Sequence, residues 1–376
     1  MKVGDLKVTP NRVVTDNRQL GIQNYDTGND YPQRVMQIAK GSGTIGSCLR
    51  IYNRFVLGKG FGAMDAFKAG RDTLGAVLRK CVGDYTVFGA FALHCAYNRL
   101  GRVAAIAHVP FEYCRLGLED ERGEVHQVAV NRDWLGVKTN PTKANTIYCM
   151  MFDPSKAASQ IEAAEGGIAG YAGQVYYANE DGKDTYPHCI YEEVLTDGAT
   201  QVACANIRYR NAKNGFMPFG AIVTKRTKDY DADNGDPSGS DAVDNQLAAV
   251  QGDVNAGKLL HFTLEPGDEQ PVFIRLDGEN YDGAFASTEE SVKANIGEKF
   301  MQPPILRCEQ VSNGFADDMM RQAYDFYNSV TEPDRMHVES VFADILRHWY
   351  RPVDLSALRI EPLSYNSSTH TNYANQ

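Results

Sequence analysis

The chain has 376 residues, of which 43% are hydrophobic, 23% charged and 10% aromatic, the balance of a folded, water-soluble protein rather than a disordered one. With 38 Lys and Arg against 48 Asp and Glu its formal charge is −10, which argues against a protein that grips nucleic acid by counterion release. No run approaches the ~20 continuous apolar residues of a bilayer span, and the opening MKVGDLKVTPNR lacks the apolar core of a signal peptide; the expectation is a cytosol-like compartment and no membrane contact.

At ~150 residues per domain the length allows two or three domains. Residues 1–31 are polar and rich in Asn, Asp and Gly, the composition of an arm ordered only against a partner. From Pro32 the apolar spacing turns helical through Val35, Met36 and Ala39, breaks at Gly41-Ser42-Gly43, and resumes through Ile45, Leu49, Tyr52 and Phe55, which predicts a helical hairpin. A further helix follows Thr73, with Leu74, Val77, Leu78 and Cys81 on one face. At Gly89 it gives way to the alternating runs GAFALHCAYN and RVAAIAHVP, a β-hairpin over 89–109. EVHQVAVN at 124–131 reads as another strand, and 134–195 alternates short β-like runs with Gly-rich or charged connections, so the class is α+β.

Thr196-Asp197-Gly198 offers N-cap chemistry for a helix that meets no breaker before Asn214-Gly215. The strand FMPFGAIVTK comes next, then an Asp-rich loop at 229–241, the helix DAVDNQLAAVQGD and the strand KLLHFTLE, a small β-α-β module over 216–264. Ser287-Thr288-Glu289-Glu290 has the form of a capping box opening a helix through Val292, Ile296 and Phe300, which Pro303-Pro304 stops. Helices at 315–330 and 333–350, parted at Thr331 with Pro333 just inside, complete the pattern, and the polar tail LSYNSSTHTNYANQ at 363–376 is expected to be disordered.

Chemistry is hard to find. Gly41 to Gly46 fits GxGxxG, but a dinucleotide loop follows a strand, whereas this one follows the helical QRVMQIAK; it reads as a helix break, with a nucleotide-binding enzyme as the alternative. Gly58-Lys59-Gly60-Phe61-Gly62 lacks Walker spacing and reads as a turn. The eight cysteines form no CxxC pair and are expected as buried thiols, and the eight histidines form no HExxH, so neither metal nor cofactor is expected. The acid pairs Glu119-Asp120-Glu121, Glu192-Glu193 and Asp317-Asp318 read as solvated faces or helix starts, as do Glu289 and Glu290.

One order of segments is distinctive. NAGKLLHFTLEPGDEQPVFIRLDGENYDGAF from Asn255 is followed by a helix ending GEKFMQPPILRC, and then by YDFYNSVTEPDRMHVESVFADILRHW. This resembles the C-terminal half of tailed-bacteriophage portal proteins, ring-forming subunits at one capsid vertex through which DNA is packaged and ejected. In that family an NAGK element and strand, a helix running into Pro-Pro, and a last helix pair occur in this order. Here they stand as Asn255-Ala256-Gly257-Lys258 and Phe300 to Pro304. The run 198–218 is similar to the family's first stem helix and the strand after it, and Val87 to Tyr113 to its wing hairpin.

The resemblance implies an α+β portal fold: an N-terminal arm (1–31), a wing (32–195 with 315–355), stem helices at 196–215 and 287–302, a small α/β clip at 216–286, a tunnel loop at 303–314 and a tail at 356–376. About 27 residues follow Trp349, so little or no crown is expected. It implies a homo-dodecamer without enzymatic activity or cofactor, in contact with the major capsid protein, the terminase large subunit, a head-tail adaptor and double-stranded DNA. Such a ring belongs to the virion and assembles in the host cytoplasm; a different head or tail-connector component is the nearest alternative. Twelve copies at −10 would total about −120, a surface past which DNA slides. Channel candidates are Arg307 first, then Gln302, Gln310, Asn313, Lys293 and Lys299, and clip residues facing partners are Lys225, Arg226, Lys228, Asp229, Asp231 and Asp233. For the basic stem residues, Arg208 and Arg210 included, salt bridging between helices is the competing role.

Overall fold

The computed structural model describes residues 13–179, 185–214, 220–223, 272–275, 281–309 and 317–365. The chain forms two units: Met1–Gly198 together with Asn295–Gln376, and the excursion Ala199–Ala294 between them.

The first unit opens with a hairpin of β1 (Thr15–Asn17) and β2 (Ile22–Asn24). The helices α1 (Tyr31–Gly41) and α2 (Gly43–Leu57) follow, parted at Ser42, whose hydroxyl accepts from the Ile45 amide and starts the second helix. α3 (Leu74–Phe88) is capped by Thr73 and ended by Gly89 at φ 73°, a left-handed turn that favours glycine. Next come β3 (Ala90–Tyr97), β4 (Val103–Val109), β5 (Cys114–Leu116), β6 (Gln127–Val130), β7 (Ile147–Met151), the short α4 (Ala157–Ala163) and β8 (Gln174–Asn179). Six of these strands form one sheet in the order β4-β3-β8-β7-β6-β5. Its neighbours are antiparallel except β7 and β8, which run parallel across the α4 crossover.

After the excursion the chain adds α7 (Asp317–Val330) and α8 (Glu332–Arg347) to this unit. Val77, Leu78 and Phe91 are fully buried, as are Val338, Phe342 and Ile345, with Phe342 ringed by Phe61 and Phe91. Asp334, in the first turn of α8, accepts hydrogen bonds from the hydroxyls of Tyr52 in α2 and Tyr85 in α3, both 2.9 Å. Arg335 beside it donates to the Phe55 and Asn328 carbonyls near the ends of α2 and α7, where helix dipoles favour a cation.

The sheet's outer strands are covered. Val103 of β4 exchanges backbone bonds with His348 and Tyr350, and Ile106 donates to Ala69; on β5, Gly117 bridges to Ile22. Both edges are thus closed to a further strand at these points.

Two expectations at the chain ends are corrected. The segment assigned to a partner-ordered arm is folded from Thr15 onward: Ile22 and Tyr25 are buried, Tyr25 stacks on Tyr186 at 3.9 Å, and Gln23 donates to the Gly117 carbonyl. Residues 1–12 lie outside the described residues. Of the tail expected to be disordered, the first three residues are held: the Leu363 carbonyl accepts from Asn328 at 2.7 Å and the Tyr365 ring lies 5.7 Å from Tyr324; 366–376 lie outside the described residues.

In the excursion, α5 spans Leu195–Asn214 and α6 spans Tyr281–Lys299, with β9 (Gly220–Val223) paired antiparallel to β10 (Val272–Arg275). α5 matches its predicted span. α6 begins six residues before the supposed capping box, so Ser287, Thr288, Glu289 and Glu290 sit inside the helix rather than at its start. Ala284, Phe285 and Ala286 before them continue the helix without a breaker. The predicted loop at 229–241, the helix at 241–253 and the strand at 258–265 lie outside the described residues.

Candidate functional site

The residues proposed to face DNA cluster where α6 ends. Lys299 closes the helix, Met301 has φ 51°, Pro303 and Pro304 lead into a single tight turn, and Cys308 at φ 58° ends it. The lack of an amide hydrogen on proline explains why the helix cannot continue.

Gln302 does not face outward. It is 4% exposed, and its Nε2 donates to the Cys48 carbonyl at 2.7 Å and to the Tyr327 hydroxyl at 2.9 Å. It therefore pins the start of the loop to α2 and α7. Burial pushes the Cys48 thiol up to about 11, against the pull of the nearby Arg307 charge.

Arg307 also takes a different place from the expected one. Its side chain is 13% exposed, and its guanidinium lies on Gly297 of α6, where any Cβ would overlap it. Nη2 pairs with Glu309 at 2.9 Å, while Nε and Nη1 are buried without a hydrogen-bond partner. Arg307, the first of the channel candidates, thus packs the loop onto its own helix. Ile305, two residues earlier in the same turn, is buried as well.

Of the remaining candidates, Lys299 forms an ion pair with Glu193 and Lys293 is exposed on α6. Gln310 and Asn313 lie outside the described residues, as do Lys225, Arg226, Lys228, Asp229, Asp231 and Asp233. The salt-bridging role holds for Arg208, whose guanidinium reaches Glu289 with both terminal nitrogens and ties α5 to α6. Both helices expose apolar and small residues: Ala203, Ala205, Ile207 and Tyr209 on α5, and Ala286, Ser287 and Ala294 on α6.

The Gly41 to Gly46 stretch is a break between two helices and follows no strand, so the βαβ setting of a nucleotide loop is absent there. Seven cysteines are buried thiols and Cys308 is exposed. Among the described residues one group has metal-ligand proximity, Asp120, Glu124 and His126, all exposed. Asp120 there serves as a turn cap, accepting from the Arg122 and Glu124 amides and pairing with His126 at 2.9 Å. No helix among the described residues is long and apolar enough to cross a membrane.

Gln302 and Arg307 were visible as residues but not as buried ones. The available signal was Gly297, a glycine inside a helix one turn before its stop, which marks a close approach.

No family model and no curated protein matches the chain. Among solved structures, a chain of the virion of the native gene transfer agent particle matches at 13% identity and a TM-score of 0.50, over 88% of this chain and 83% of that one. A chain from the neck of the native gene transfer agent particle, computed with C12 symmetry, matches at 13% identity over 89% and 84%, with a TM-score of 0.43. A phage portal protein of the HK97 family from Corynebacterium diphtheriae matches at 11% identity over 77% and 82%, with a TM-score of 0.36. The likeness to the virion chain is one of fold.

Proposed function

We propose that this chain is a portal subunit, twelve copies of which form a ring at one vertex of a viral head and conduct double-stranded DNA during packaging and ejection. The observation that carries the reading is the fold shared with a chain of the gene transfer agent virion over 88% of the length, joined to segments that follow the portal order in sequence. In this reading the first unit is the wing, set against the major capsid protein, and α5 and α6 are the stem. The clip at 216–286, with its Lys225 to Asp233 charges, meets the terminase large subunit and the head-tail adaptor. The loop after Pro304 approaches DNA through Gln310 and Asn313, and Lys293 faces it from the stem.

Such a subunit needs no reaction of its own. A net charge of −10 per copy lets phosphate pass without being held, and hydrolysis of ATP belongs to the terminase. Assembly takes place in the host cytoplasm and the ring ends in the virion.

Mass photometry with negative-stain imaging tests the reading. A ring of about 500 kDa, twelve times the 41.6 kDa chain, with an open axial channel is expected, since heterologous contacts that close make a ring. A protein that stays monomeric or dimeric, even with capsid or scaffolding partners added, overturns it.

A further inference from the structure

The Gly58-Lys59-Gly60 turn has no nucleotide to hold, but it does hold something. Residues 355–365 cross the first unit as a strap, a single 3-10 turn at Leu355–Ala357 and then chain in neither helix nor strand, and the Gly58–Gly60 turn meets it backbone to backbone. The Lys59 amide donates to the Glu361 carbonyl at 2.8 Å, and the Glu361 amide donates to the Gly60 carbonyl at 3.3 Å. Gly58 and Gly60 have φ of 52° and 76°, and a Cβ on Gly58 would strike the Glu361 carbonyl and the Ile360 side chain. Glycine is thus required by both the backbone and the neighbour.

The other contacts have the same character. The Ile360 amide donates to Glu339 of α8 at 2.7 Å, Asn328 of α7 donates to the Leu363 carbonyl at 2.7 Å, and the Tyr365 ring lies 5.7 Å from Tyr324. Leu358 and Ile360, two apart, are buried as paired anchors, while Arg359, Glu361 and Pro362 are exposed. Alternate side chains in pockets and main-chain bonds between them are how an extended peptide is recognised. An open groove of about 700 Å³ lies between residues 361–365 of the strap and the side chains of Lys59, Arg321, Asp325, Glu332 and Arg335, so beyond its two buried anchors the strap borders a polar, open space.

We propose that the surface formed by the Gly58–Gly60 turn, α7 and α8 is a peptide-docking site that this chain fills with its own segment 355–365. The site selects an extended backbone with two apolar residues two apart followed by an acid, and the chain's own strap excludes any competing segment while it is seated. The strap opens locally without unfolding the sheet or α3.

Two measurements on the full chain test this. Hydrogen exchange of the unaltered protein should show the Ile360 and Glu361 amides opening well before those of α3 and β3; exchange in step with the core would make the strap part of the core and overturn the proposal. In the second, a fluorescein-labelled peptide of residues 355–365 is titrated by anisotropy. The double variant Leu358→Asp, Ile360→Asp should remain folded and bind it at least tenfold more tightly than the unaltered chain, whose site is filled. Adding Asn328→Ala and Glu339→Ala should weaken that binding at least tenfold. Equal binding by released and unaltered chains, indifference to the Asn328 and Glu339 changes, or collapse of the released variant each overturns the proposal. None of these readings depends on ring formation.

Discussion

Arg115 is fully buried, and its hydrogen bonds go to neutral acceptors: the carbonyls of Asn29, Glu112 and Cys114 and the side chains of Asn29 and Gln33. Its guanidinium also lies over the rings of Tyr25 and Trp134. Burial lowers its pKa, yet a guanidinium stays charged at any ordinary pH. Methionine at this position would fill the volume and leave several carbonyls unmatched, at about 1–3 kcal/mol for each buried group. Arg115→Met should therefore cost more than about 3 kcal/mol in chemical denaturation, and Arg115→Lys should rescue it only in part, because a single ammonium cannot span the fork. Asp120 offers a second test. The Glu124 amide first, then His126 and the Arg122 amide, hold its carboxyl down to about 2. A folded pKa below the unfolded value means that the contribution is present above the ordinary aspartate value of 3.8 and is lost as pH falls through about 2. The Asp120 carboxyl carbon and the Arg122 and Glu124 amides should shift together in an NMR titration with a midpoint near 2; a midpoint near 3.8 would remove the turn cap from the account.

Elements with strong local signals were readable and those defined by distant partners were not. The break at Ser42, the turn at Gly89 and the Thr331–Pro333 junction each carry their own chemistry within four residues. The β1–β2 hairpin has no such pattern, since Gln23 is buried only because Gly117 and Glu119 receive its amide from 94 and 96 positions away. The four residues from Ser287 misled for the opposite reason: a valid local motif is overridden when the helix before it is already propagating. At the candidate site, the Pro-Pro stop was legible, while the burial of Gln302 and Arg307 depends on α2, α7 and Gly297. Gly297→Ala should gain about 1 kcal/mol from helix propensity in an open helix, but here it displaces the Arg307 guanidinium. The expected result is a lower melting temperature for Gly297→Ala alone and a stabilising effect of the same change in an Arg307→Ala background. Additive effects in that double-mutant cycle would mean that the two residues do not touch.

On the scale of the molecule, the first unit is interrupted by nearly a hundred residues and is nevertheless continuous across the gap. At the point of departure Asp197 lies 3.4 Å from Asn295, and Glu193 pairs with Lys299. The outgoing and returning chain are therefore tied to each other before the excursion begins. Replacing 199–294 by a short Gly/Ser linker should leave a soluble protein with the helix and sheet content of the first unit and one cooperative melt. Loss of that melt would show that the unit needs the excursion to fold. The pairing also bears on how such a chain can change over generations. A hinge whose two leaves are already fastened accepts cargo of any length, so the excursion can be lengthened, shortened or exchanged to suit a new counterpart while the body that carries it goes on folding as before.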